Sequence, residues 1–163
     1  MEKISFSGII LALKAIADAI RALTIATTKA PIQGKLAFAN FSSPSGVFSK
    51  VTSTATVDSQ TGDITVDTTN KRIVINQAGV YFVNFGASIE ASTSGSGRAF
   101  AIAKNGSQLA DCFFSKDAPG RYAGSLSDCF NFVPGDYIEA QIYQDSGAAR
   151  VVYTPRLSVF KVS

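Results

Sequence analysis

The residues that could do chemistry are few, and their types restrict what that chemistry could be. The 163-residue chain has no His and no Trp, two Cys and 12 acidic side chains. Without imidazole there is no His-based dyad or triad and none of the common zinc sites. Acid–base work would fall to carboxylates, Lys, Tyr or Cys. The thiols Cys112 and Cys129 contain no CxxC pattern and make no metal site by themselves. Each is directly preceded by an aspartate, Asp111 and Asp128. Neighbours along a strand point to opposite faces, so neither Asp serves its Cys. A Cys nucleophile would also lack a His to activate it. Spacing leaves two readings of the pair: buried thiols acting as small hydrophobes, or a disulfide if their strands are neighbours. The sequence therefore reads as non-enzymatic, with no catalytic residue, no cofactor and no metal site.

Composition points the same way. Charged residues are 17% and hydrophobic ones 46%, against roughly 25% charged in an average soluble domain. That apolar content excludes intrinsic disorder. The formal net charge is +3, and the longest Lys/Arg run is Lys71-Arg72. Nucleic-acid binding has no footprint in such a pattern. A low charge count suits a chain that buries surface against copies of itself.

The elements that must position these residues differ along the chain. Phe6, Ile9, Leu13, Ile16, Ile20 and Leu23 recur at alternating steps of three and four. That is a heptad seam, with Phe6, Leu13 and Ile20 at a and the other three at d. It predicts a helix over about 7–23, capped by Ser5 or Ser7. Domain boundaries are set at 1–24 for the helix, 25–34 for a linker marked by Thr, Pro31 and Gly34, and 35–163 for the head. The helix has two uses: trimerisation, or anchoring to a partner. The simpler alternative is one amphipathic helix on its own domain. Ala15-Ile16-Ala17 looks like a signal-peptide cleavage site, but Lys14 interrupts the apolar run ahead of it. The longest purely apolar stretch falls far short of the ~20 residues that span a bilayer, so no membrane insertion is expected.

From residue 35 the period switches to two. Residues 36–41, 80–89, 99–104, 109–114, 122–133 and 137–144 alternate or run apolar as strands do. In 80–89 the core face is Tyr81, Val83, Phe85, Ala87 and Ile89; in 137–144 it is Ile138, Ala140 and Ile142. Asn105-Gly106 is a hairpin turn. Residues 47–57 and 64–67 read as the arms of another hairpin around 59–63. Residues 72–75, 151–153 and 157–162 add further strands. Eight to ten short strands with no helix between them predict an antiparallel sandwich or barrel.

The order of these pieces resembles the C1q/TNF-like jelly-roll family. The matching residues are Leu36-Ala-Phe-Ala-Asn-Phe41, Asn76-Gln-Ala-Gly-Val-Tyr-Phe82, Ala103-Lys-Asn-Gly106, Leu126 to Val133 leading into Pro134-Gly135-Asp136, and Leu157-Ser-Val-Phe160. The resemblance implies a mainly β, ten-stranded jelly-roll head that forms homotrimers, edge to face, behind an amino-terminal stalk. No Gly-X-Y repeat is present, and the short helix takes the stalk's place. Helix-plus-head chains of this kind look like surface proteins of bacteriophage and other virions: capsid decorations, head fibres or spikes. The expected function is thus a structural protein of a virion surface. Its partners are itself, other virion proteins through the helix, and a host receptor or glycan. The alternative is a secreted, extracellular ligand or glycan-binding module, whose mature chain would start near Asp18. Resemblance also suggests Phe82, Tyr137, Tyr143, Tyr153 and Phe160 as trimer-interface aromatics, the plain alternative being core or scattered surface. Some relatives bind calcium, for which Asp117, Asp136, Glu139 and Asp145 are the carboxylates to inspect; their spacing matches no EF-hand. Loops 92–98, 115–121 and 144–150 each contain Gly and end in Arg, which makes Arg98, Lys116, Arg121 and Arg150 the binding candidates, or ordinary solvated loop cations.

Overall fold

A computed structural model describes residues 6–28, 31–92, 94–95, 97–115 and 121–162. The chain divides into two compact units, residues 1–30 and 31–163. The first holds one helix, α1 (Phe6–Thr28). It continues past the expected end at Leu23, because Thr24, Thr27 and Thr28 are weak helix formers rather than breakers. The first Pro, which would break it, stands at 31.

The second unit is built of strands. They are β1 (Gln33–Phe38), β2 (Phe41–Ser43), β3 (Ser49–Lys50), β4 (Ala55–Gln60), β5 (Ile64–Asp67) and β6 (Arg72–Ile75). Then come β7 (Gly79–Ile89), β8 (Gly97–Lys104), β9 (Ser107–Ser115), β10 (Tyr122–Phe132), β11 (Tyr137–Gln144) and β12 (Arg150–Lys161). Sheet one runs β10-β7-β12-β1-β4, with β2 beside β12. Sheet two runs β5-β6-β11-β8-β9, with β3 beside β11. Neighbouring strands are antiparallel, and the chain crosses repeatedly from one sheet to the other. The expected β-sandwich with an amino-terminal helix is the architecture the chain adopts.

The core lies between the sheets. Tyr81, Val83, Phe85 and Ile89 of β7 are fully buried, facing Phe100, Ile102, Ile138 and Ile142. The rings of Phe85 and Phe100 meet edge-on at 5.5 Å, and Phe100 meets Phe114 at 5.1 Å. Two glycines set the sheet spacing. A Cβ on Gly34 would stand 2.6 Å from Ile64 Cγ2, and one on Gly124 would stand 2.8 Å from the Phe114 ring.

Two local expectations are corrected. Residues 47–57 and 64–67 do not form a hairpin: β4 pairs with β1 in sheet one, and β5 with β6 in sheet two. The physical reason is burial. Ile64 and Val66 point into the core, while β4 is largely exposed, with Val57 at 49%. The turn between them carries the chain across, tied to β1 by Thr61 N to Gln33 O at 3.0 Å. Residues 151–153 and 157–162 are one strand, β12, with an irregularity between Tyr153 and Arg156 where Thr154 takes a φ of 47°. Asn105 and Gly106, at φ 53° and 82°, turn β8 into β9 as a primed hairpin requires.

Candidate interaction surfaces

Because β7 buries its odd-numbered residues, the even-numbered ones form the outer face of sheet one. Strand register then fixes rows across it. Cys129, Phe82, Phe160 and Gln33 make one row. Ser127, Asn84, Ser158 and Lys35 make the next, followed by Ser125, Gly86, Arg156 and Ala37. The face therefore has an apolar end and, along β10 and β7, a lane of short side chains at Ser127, Asn84, Ser125 and Gly86, flanked by Lys35 and Arg156 on β1 and β12. At the apolar end Phe82 is 37% exposed and Cys129 is exposed. Lys35 Nζ lies 5.5 Å from the Phe160 ring centroid. Val162, 62% exposed, joins this end through its N–H bond to Val80 O at 2.7 Å.

Of the aromatic candidates, Phe82 and Phe160 are direct cross-strand neighbours. Tyr153 sits on the same sheet opposite Ser88, under the Arg121 guanidinium at 3.6 Å from its ring centroid. Tyr137 and Tyr143 belong to sheet two, on β11. Tyr137 stacks under Arg72 at 4.6 Å. Tyr143 joins Phe48 at 5.2 Å and Phe113 at 6.0 Å in a ring cluster. The five therefore do not share one surface.

The thiols separate too. Cys112 is on β9 in sheet two, Cys129 on β10 in sheet one, and both are free. A disulfide is excluded, and so is the reading of Cys129 as a buried thiol, since it lies exposed on the outer face.

The carboxylates inspected for calcium are engaged in the fold. Asp136 is 6% exposed and receives Lys104 Nζ at 2.8 Å, Asn105 Nδ2 at 2.7 Å and Val133 N at 2.9 Å. Burial alone would raise its pKa, but these donors outweigh it and hold the carboxyl below its usual range. Glu139 is paired with Lys50. Asp145 Oδ1 accepts Gly97 N at 2.9 Å. Asp117 lies outside the described residues. Among the described residues no group of His, Cys, Asp or Glu is placed to hold a metal ion.

The loop cations split as well. Arg98 is 4% exposed rather than a solvated loop cation, because β8 alternation turns it inward at the end of the sandwich. Arg150 is half-buried and donates from Nη2 to Ser92 Oγ at 3.1 Å; Arg98 Nη2 donates to Ser92 O at 3.3 Å. The structure thus brings Arg98 and Arg150 to one serine, with Arg121 elsewhere over Tyr153. Lys116 lies outside the described residues.

Solved structures with this arrangement are numerous. The S. frugiperda Eiger TNF structure aligns with a TM-score of 0.60 at 12% identity, covering 82% of this chain and 93% of that one. Murine APRIL aligns at 0.56 and 12% in its pH 5.0 structure, covering 80% of this chain and 99% of the other. Its pH 8.0 structure gives 0.55 at 14% identity, with the same coverage. The head has the TNF-like jelly-roll fold. No protein family matches the sequence, and no curated protein matches it.

On the helix, Leu13, Ile16 and Ile20 of the seam are 61%, 56% and 58% exposed, and Ile10 and Leu11 beside it are 53% and 69%. The seam side chains of Phe6, Ile9 and Leu23 lie outside the described residues. Lys14, Asp18 and Arg21 fall at b and f positions, farthest from the seam, and Asp18 and Arg21 pair at 3.9 Å. No described helix is long and apolar enough to cross a membrane.

Sequence reasoning missed Phe48 and Phe113, the partners of Tyr143 in the TNF-like head. Phe113 alternates outward on β9 beside the inward Cys112 and Phe114, and that alternation was its only signal. It also missed the network around Asp136, whose members Asn105 and Asp136 are both turn residues in the sequence.

Proposed function

We propose that the chain is a homotrimeric, non-enzymatic structural protein of a virion surface, built on a TNF-like head. Three heads pack through the outer face of sheet one, the lane of short side chains admitting close approach and Phe82, Phe160 and Cys129 supplying apolar contact. The helix gives a second contact, either by closing a three-stranded bundle on its seam or by docking on another virion protein. Ile at both a and d favours more than two strands. The head is left outward for stabilisation or host attachment.

The observation that carries the assembly is the exposed apolar seam of α1. A helix of this length is marginal alone in water, so its stability has to come from packing. The virion setting is supported by the helix standing where the resemblance places a stalk.

Light scattering on the full chain tests the trimer: three times the 17.1 kDa chain mass is expected, and a monomer at all concentrations overturns it. Deleting residues 1–30 should abolish incorporation into particles while the head stays folded. Retained incorporation defeats the anchoring role, and an exported chain starting near Asp18 replaces the virion reading with a secreted one.

A further inference from the structure

The turn between β8 and β9 carries the chain's one Asn-Gly pair, Asn105-Gly106. This dipeptide can do chemistry on itself. The backbone nitrogen after an asparagine attacks the side-chain amide carbon, and glycine leaves that nitrogen unhindered because it has no Cβ. The Gly106 N–H gives its proton to solvent base, and the nitrogen bonds to Asn105 Cγ. The Cγ–Nδ2 bond breaks and ammonia leaves. Water then opens the succinimide ring at either of its carbonyls, leaving aspartate or isoaspartate. The net change is one amide and one water converted to one carboxylic acid and one ammonia.

Both residues are exposed at the tip of the hairpin, so solvent base and water reach them. What restrains the reaction is how the amide is held. Asn105 Nδ2 donates to Asp136 Oδ1 at 2.7 Å, and Asn105 Oδ1 accepts from Tyr137 N at 2.9 Å. A further bond, from Asn105 N to Tyr137 O at 3.0 Å, fixes the backbone. Both polar atoms of the side chain are thus committed to the neighbouring turn at 133–137. Ring closure requires the amide to leave both partners and swing onto Gly106 N, so the hairpin tip must first come away from that turn.

The product does not fit back. In the aspartate, a carboxylate oxygen replaces Nδ2 at 2.7 Å from Asp136 Oδ1, and two acceptors face each other with no proton between them. Asp136 is 6% exposed, so water does little to screen the like charges. Its other oxygen already accepts from Lys104 Nζ at 2.8 Å and Val133 N at 2.9 Å. Isoaspartate instead lengthens the backbone of a two-residue turn that closes through φ values of 53° and 82°.

We propose that Asn105 is a self-modifying site kept shut by the native head. It deamidates once the hairpin tip leaves the 133–137 turn, and the new carboxylate then opposes redocking. The head so carries a one-way record of having opened. All the groups belong to one chain, so the proposal stands apart from the trimer reading.

The test is peptide mapping of the full chain held at mildly alkaline pH, both folded and in urea beyond its unfolding midpoint. The tryptic peptide 105–116 reports conversion of amide to acid by its mass. Conversion should be about tenfold or more slower in the folded chain, because two bonds hold the amide. Asp136→Ala removes one of them and should speed conversion in the folded chain about fivefold. Gly34→Ala, which strains the same head at a different contact, should leave the rate unchanged. Asn105→Asp should lower the head's unfolding midpoint, and adding Asp136→Asn should recover part of the loss by giving the new carboxylate a donor. Equal conversion in folded and unfolded chains overturns the proposal. So does Gly34→Ala speeding conversion as much as Asp136→Ala, which would mean global unfolding rather than release of one turn. An Asn105→Asp chain as stable as the parent, or one that Asp136→Asn does not improve, overturns the redocking block.

Discussion

The helix and the head use the same aliphatic residues to opposite ends. Ile64, Ile73, Ile75 and Ile138 of the head have no exposed surface, whereas Ile10, Ile16 and Ile20 of the helix are each more than half exposed. Both segments follow a strict apolar period, two in the head and 3.5 in the helix. The difference is closure. Two sheets face each other within one chain and bury their inner rows, while a single helix has only one face and nothing in its own length to cover it. A periodic apolar pattern therefore says that a surface will be buried, and the number of elements sharing it says whether one chain suffices.

Substitutions can break this comparison. The largest effect is expected in the head's core. Phe85→Ala should cost about 3–5 kcal/mol in urea unfolding. Ile16→Asp in the helix should leave the head's unfolding midpoint unchanged and remove the oligomer seen by light scattering. If Ile16→Asp lowers the head's midpoint as Phe85→Ala does, the two units do not have separate sources of stability. Gly34→Ala comes next. The added methyl meets Ile64 at 2.6 Å, and forcing the sheets apart should cost about 1–3 kcal/mol.

Asp136→Ala should cost about 2 kcal/mol, because it strands the donors of Lys104, Asn105 and Val133. Asp136→Asn should recover part of this. An equal loss in both would mean that the charge, rather than the acceptor geometry, matters. The smallest effect concerns acid. Asp67 is held at about 2, against 3.8 unperturbed, by the Asn70 backbone N–H, by the Asn70 side chain and by Arg72. A depressed carboxyl stabilises the fold above its unfolded pKa, and this contribution is lost as pH falls from 3.8 through about 2. Head stability should fall over that window, and Asp67→Asn should flatten part of the fall. A pH profile unchanged by Asp67→Asn would remove this turn from the account.

Much of the architecture was legible in the sequence, because alternation in 80–89 and 137–144 named the inward residues directly. Sheet membership was not. Val57 and Ile64 are seven positions apart across a polar turn, which suits a hairpin locally. Only the long-range partners, β1 for one and β6 for the other, assign them to different sheets. The interaction surfaces were legible by residue type rather than by place. Phe82 and Phe160 are 78 positions apart yet adjacent across strands. Arg98 looked like a loop cation because its loop is Ser- and Gly-rich, but the alternation of β8 turns it inward.

The ends of the two sheets hold a further consequence. The strands at those ends are β4, β10, β5 and β9. Each carries one aspartate: Asp58, Asp128, Asp67 and Asp111. The strands between them carry none, with Glu139 as their one acid. An edge strand offers unpaired backbone groups to any similar chain, and charges on it discourage that pairing. Asp58 and Asp67 are paired with Arg156 and Arg72, so the like charges that two copies would bring together rim to rim are those of Asp111 and Asp128 on β9 and β10. At the β9 and β10 rims the aspartates therefore oppose sheet growth while leaving the faces available for contact, which favours association through the faces over open-ended fibres.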